Sequence, residues 1–162
     1  MSRFDLNLED VATERMLVPV GIYEARIVKG EIRQGETEKG KWANINLTLG
    51  INDADVVKAM NQDEPKVFWS AMFSFDEQGK FAKKNCPELG KFIEVTGFTD
   101  ISDFEEGTEE MEVERDYILK VFSNMIHASI GTDLLCKVVQ KPHYQDGSRQ
   151  VNDVASIAKL EE

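Results

Sequence analysis

Apolar and polar residues alternate over several stretches of the chain, and a period of three to four residues replaces the alternation in two others. From Gly21 to Arg33, Tyr23, Ala25 and Ile27 share one parity among strand-forming residues, which predicts a strand with a bend at Gly30. Between Lys41 and Leu49, Ala43, Ile45, Leu47 and Leu49 fall on one face, and Trp42, Asn44, Asn46 and Thr48 on the other. A strand with one buried face follows, with Trp42 on its polar side. In the next run Val67, Trp69, Ala71, Phe73 and Phe75 alternate with Phe68, Ser70, Met72 and Ser74, the pattern of a core strand. Pro87 suits a first helical turn, and Leu89, Phe92 and Ile93 recur at helical spacing, so a short helix is expected from Pro87 to Val95. Ile118, Leu119, Phe122, Met125 and Ile126 fit one face of a further helix, with a strand as the alternative that Val121 and the aromatic content leave open. Two last extended runs, Leu134 to Lys141 and Val151 to Leu160, are joined through His143 to Arg149, where Asp146-Gly147 signals a turn.

The order is three strands, helical material, then two strands, without the βαβ series of a parallel sheet. The expected class is mainly β with helical insertions. Five antiparallel strands with a helix after the third is the layout of an OB-fold, a partly open Greek-key barrel, with a β-sandwich as the alternative. The 162 residues suit one such domain, placed at 18–162 behind a flexible arm over residues 1–17, which show no sustained period.

Charge changes this picture in one place. Thirty acidic residues against nineteen basic ones give a net charge of −11, which disfavours uniform coating of a polyanion. Residues 101–116, however, hold eight carboxylates and one arginine, so −7 of the −11 lies in this window. Such a run reads first as a solvated loop or mobile insertion; its functional alternative is an acidic strip that engages a basic protein partner or mimics a phosphate backbone. The chain has neither a long apolar run nor the layout of a signal peptide, predicting a cytoplasmic protein with no membrane partner. Cys86 and Cys136 form no CxxC motif, and His127 and His143 have no histidine at ligand spacing, so no metal and no cofactor are expected. Gly35 to Lys41 matches the G-x-x-x-x-G-K of a phosphate loop, but Trp42 follows where Ser or Thr is needed, and a strand follows where a helix is needed. No nucleophile, histidine and carboxylate stand in a recognisable catalytic arrangement, and the chain is read as a non-enzyme.

The remaining signal is aromatic and basic. Single-stranded nucleic acid binds where a basic groove tracks phosphates and rings stack on bases. Trp42 stands beside Lys41 and Lys39 on a polar strand face, Arg26 and Arg33 belong to the preceding strand, and Phe68 occupies the minority face of the third. Lys137, Lys141, His143, Tyr144 and Arg149 make a second cluster on the C-terminal hairpin. Trp69, Phe73 and Phe75, which share the apolar parity, are expected in the core.

Val18-Pro19-Val20-Gly21-Ile22-Tyr23-Glu24-Ala25-Arg26-Ile27-Val28, then Lys39-Gly40-Lys41 before an alternating strand, Leu89-Gly90-Lys91-Phe92-Ile93-Glu94-Val95-Thr96-Gly97, and Gly147 with Asn152 resemble, in this order, small bacteriophage OB-fold proteins that bind single-stranded DNA. The resemblance spans about Pro19 to Lys159. It implies a non-catalytic protein of phage DNA replication or recombination, working alongside other proteins of those processes, with homo-oligomerisation left open. It also implies DNA contacts from barrel-face residues that map to Trp42, Lys41, Phe68, Lys137 and Lys141. The acidic window before the second helix is less typical of that family.

Overall fold

A computed structural model describes residues 16–38, 40–82 and 86–160. Five strands, β1 (Gly21–Thr37), β2 (Gly40–Ile51), β3 (Lys66–Phe75), β4 (Asp133–Pro142) and β5 (Gln150–Lys159), form one sheet in the order β3-β2-β1-β4-β5, with every neighbouring pair antiparallel. Helix α1 (Ala54–Met60) joins β2 to β3. Helix α2 (Pro87–Thr96), a short 3-10 helix (Ile101–Phe104) and helix α3 (Glu114–Ser129) lie between β3 and β4. The arm expected over residues 1–17 falls outside the described residues up to position 15. Val18 is already packed in the core, its backbone N–H donating to Asn152 Oδ1 at 2.8 Å and its carbonyl accepting from Asn152 Nδ2 at 2.9 Å.

The length of β1 lets it serve two partners. Its first part, Gly21 to Arg26, pairs with β4, and Ala25 to Thr37 pair with β2. The register slips between Ile27 and Lys29, leaving Val28 as an extra residue, a β-bulge that inverts which parity faces inward. Ala25 and Ile27 are fully buried before it, whereas Gly30 and Ile32 take the inward pleat after it. The α3–β4 connection docks here: Gly131 N–H donates to the Ile27 carbonyl at 2.7 Å and Ile27 N–H donates to the Thr132 carbonyl at 2.9 Å. The irregularity expected at Gly30 therefore sits two residues earlier, and Gly30 has a different task. A Cβ there would overlap Ile126 of α3 and Leu47 of β2, so the missing side chain lets α3 approach the sheet.

The inward pleats carry the core that the alternation predicted. Ala43, Ile45, Leu47 and Leu49 are buried on β2, as are Val67, Trp69, Ala71, Phe73 and Phe75 on β3 and Leu134, Cys136 and Val138 on β4. Phe122 of α3 closes over Phe73 with ring centres 5.1 Å apart, and Phe81 adds an edge contact to Phe73 at 5.7 Å. The edge strands β3 and β5 approach each other without being hydrogen-bonded, so the sheet is not closed, and α2 packs against both across this seam. Both cysteines are buried free thiols, and burial pushes Cys136 up to about 11. No helix among the described residues is long and apolar enough to cross a membrane.

Two local features differ from the periodicity reading, and a third, the β4–β5 connection, agrees with it. Helix α1 was not anticipated, although its signals are present: Asp53 caps the N–H groups of Asp55 and Val56 at 3.0 and 3.1 Å, Asn61 closes the other end in a left-handed conformation (φ 52°), and Val56 and Met60 are buried. The β4–β5 connection is, as expected, the seven-residue loop over 143–149. Asp146 accepts from Ser148 Oγ at 2.6 Å and its carbonyl from Arg149 N–H at 3.1 Å, so the turn runs through Asp146 to Arg149. The 101–116 window, expected as a solvated loop, is folded against α3. Asn124 Nδ2 donates to the carbonyls of Phe104 and Glu106, both at 2.9 Å, Tyr117 OH donates to Glu105 at 2.9 Å, Thr108 is buried, and Phe104 packs on Phe98. Most of its carboxylates are exposed, while Glu105, Glu114, which accepts from the Phe81 N–H at 3.2 Å, and its few apolar groups anchor it.

Candidate nucleic-acid interface

The outward pleats of β1, β2 and β3 stand side by side as three lanes. Register places Lys29, Thr48 and Phe68 in one row, Glu31, Asn46 and Ser70 in the next, then Arg33, Asn44 and Met72, then Gly35, Trp42 and Ser74. The β1 lane is charged, the β2 lane carries amides and a hydroxyl, and the β3 lane has Phe68 (63% exposed) and Met72 (60% exposed). Phe68 and Met72 thus open apolar side chains to solvent on a pleat that they share with Ser70 and Ser74.

Trp42 leaves the core face, as parity predicts, but it is half-buried: its indole lies against Gly35, its register partner, where any Cβ would collide with the ring. One side of the indole is thereby taken by β1. Arg26 occupies a further outward row with Gly50 and Lys66. Glu64 lies over Gly50, bound to Lys66 Nζ at 2.6 Å and to Arg26 Nε at 2.9 Å, and these two donors, Lys66 first, hold its carboxyl below the usual range. Arg33 pairs with Glu31 at 3.1 Å, while Lys29 is exposed with no ion pair among the described residues. Four cations, Arg26, Lys29, Arg33 and Lys66, thus meet Glu31 and Glu64 across these rows, while Asp133, the β4 register partner of Arg26, and Glu24, two residues along the same pleat, bring carboxylates to the Arg26 end, so the uncompensated cations are those at Lys29 and Arg33 beside the single carboxylate of Glu31. A shallow depression of about 320 Å³ opens in this face, lined by Lys29, Glu31, Arg33, Asn46, Thr48 and Phe68 among others.

Arg26, Arg33, Trp42 and Phe68 of the sequence-derived candidates are therefore brought to one sheet face, whereas Lys41, Lys137, Lys141, Tyr144 and Arg149 are not brought beside Trp42. Lys41 lies on the opposite pleat from Trp42, in register with Glu36 and Phe75, in a hollow shared with Asp76, Glu77 and Asp116. Lys39 lies outside the described residues. Lys137 pairs with Ile22 of β1, thirteen residues from Gly35, the partner of Trp42. That is roughly 40 Å of strand contour. Lys141 is tied to Asp153 at 3.3 Å, Tyr144 is 87% exposed and stacks on His143 at 4.9 Å, and Arg149 stands on the same loop. These four belong to the far end of β1.

Lys29 and Lys66 escaped the reading of the sequence. Arg26 and Lys29 have opposite parity, and only the bulge at Val28 puts both on the outer face. The acidic window meets the sheet from the other side: Arg115 Nη2 donates to Gln34 Oε1 at 2.7 Å, and Gln34 belongs to the inward pleat. Among the described residues, no group of three or more His, Cys, Asp or Glu side chains is arranged to hold a metal ion. Set against known proteins, the chain matches no family model and no curated sequence.

Proposed function

We propose that the chain is an OB-like, non-catalytic protein that binds single-stranded DNA in phage replication or recombination, through the outer face of β1, β2 and β3. The observation that carries this reading is the placement of Lys29 and Arg33 on the outer pleat of β1, one strand removed from the exposed Phe68 and Met72 of β3, on an otherwise acidic molecule. Phosphates follow Lys29 and Arg33, and bases turn towards Phe68, where each stacked base contributes roughly 1–3 kcal/mol. The amides and hydroxyl between these lanes offer donors and acceptors to base edges. The strand order, the sharing of β1 between two partners and the helix across the β3–β5 seam support the barrel architecture. The acidic window supports it by docking on the inward side of β1, away from the pleat that presents Trp42.

Titration with oligo-dT tests the reading. Trp69 is buried, so a change in emission reports Trp42. Binding should weaken with added salt, because each phosphate neutralised contributes about −0.7 to the log–log slope for a single strand. Phe68→Ala should lower affinity at least about fivefold by removing one stacking platform. Absence of binding at low salt, by emission and by a direct mobility assay, overturns the assignment.

A further inference from the structure

We propose that the depression beside Phe68 is a base-reading subsite that favours cytosine over thymine, with Glu31 as the specificity-determining residue; this rests on the single-stranded DNA reading. Glu31 is the single carboxylate lining the depression, and its row lies between those of Lys29 and Arg33, four residues apart on β1. Lys29 and Arg33 stand about 13 Å apart along the strand, a span of about two nucleotides, and a base of that dinucleotide turned into the depression meets Glu31. A carboxylate there is unfavourable to the phosphate chain unless it receives a hydrogen bond from the ligand. Arg33 Nε occupies Oε1 of Glu31 at 3.1 Å, and Oε2 has no partner among the described residues. The carboxylate is half-exposed and available from the depression.

A carboxylate only accepts hydrogen bonds. Cytosine presents its N4 amino group on the edge where thymine presents the O4 carbonyl, so Glu31 meets a donor in the first case and a repelling lone pair in the second. Stacking on Phe68 does not distinguish the two pyrimidines, and neither do Lys29 and Arg33, which recognise charge. The selectivity therefore falls to Glu31, with the neighbouring Asn46 amide able to accommodate either base.

The test compares oligo-dC with oligo-dT, each of roughly eight nucleotides, within the span of one OB domain. Both are titrated into the full chain at mildly alkaline pH, where cytosine is neutral. The wild type should bind oligo-dC about five- to tenfold more tightly, the weight of one good base-edge contact to a charged acceptor. Glu31→Gln should erase the difference, chiefly by strengthening oligo-dT binding, since an amide offers a donor to O4. Lys29→Ala should weaken both oligonucleotides by the same factor. Equal wild-type affinities overturn the subsite while leaving the DNA reading standing, as does a Glu31→Gln variant that gains equally for both oligonucleotides, because that identifies Glu31 as a counter-ion of Arg33. Failure to bind either oligonucleotide overturns the underlying reading itself.

Discussion

Glu64 shows how one residue couples the stability of the sheet to the charge of its outer face. The absence of a side chain at Gly50 leaves the space it fills, and from there it holds both Arg26 and Lys66. Its folded-state pKa lies below the ordinary value, so its contribution is complete above the normal carboxylate range and is lost as pH falls through the folded value. The urea midpoint of the wild type should therefore drop more steeply than that of Glu64→Gln between about pH 5 and pH 3. The same substitution releases two cations, and oligo-dT affinity at neutral pH should rise. At Gly30 the expected effect is steric. The overlapping atoms belong to Ile126 and Leu47, both buried and unable to yield, so Gly30→Ala should lower unfolding free energy by about 1–3 kcal/mol in denaturant titration, as overpacking does. That Trp42 leaves the core could be read from parity alone. That its ring lies on Gly35 could not, because the two meet only through a cross-strand register.

At the level of elements, the signals that are local in sequence were the readable ones. Helix α2 begins at Pro87 and ends with Gly97 in a left-handed conformation (φ 73°), both visible as punctuation. The acidic window carries no comparable signal. Its order comes from Asn124, on α3, whose amide satisfies two carbonyls of the segment. Asn124→Ala leaves both without that donor and should cost about 1–2 kcal/mol, with faster amide exchange and proteolysis confined first to residues near 104–110. Uniform destabilisation without local exposure would show that Phe104 and Thr108, and not the amide, hold the segment. The β4–β5 loop makes the complementary point. Asp146-Gly147 marked a turn correctly, but loop length is decided by where the β4–β5 ladder ends, at the pair Pro142 and Gln150.

For the whole molecule, net charge is a poor guide to the partner. The outer sheet face that presents Lys29 and Arg33 and the acidic window approach β1 from opposite pleats, and a chain of −11 carries both. The alternation of apolar and polar residues determined the strands, the core and the outward placement of Trp42 and Phe68, because a side-chain period of two follows from strand geometry itself. Tertiary structure decided which charges share a face. The bulge at Val28 unites Arg26 with Lys29, Glu31 and Arg33, the pleat separates Lys41 from Trp42, and the length of β1 separates both from Lys137 and Lys141. Parity counted along one strand is blind to an inserted residue, and a list of basic positions carries no register. Those two quantities are set by pairing between strands and by the docking of the α3–β4 connection on Ile27, contacts made between residues far apart in the chain.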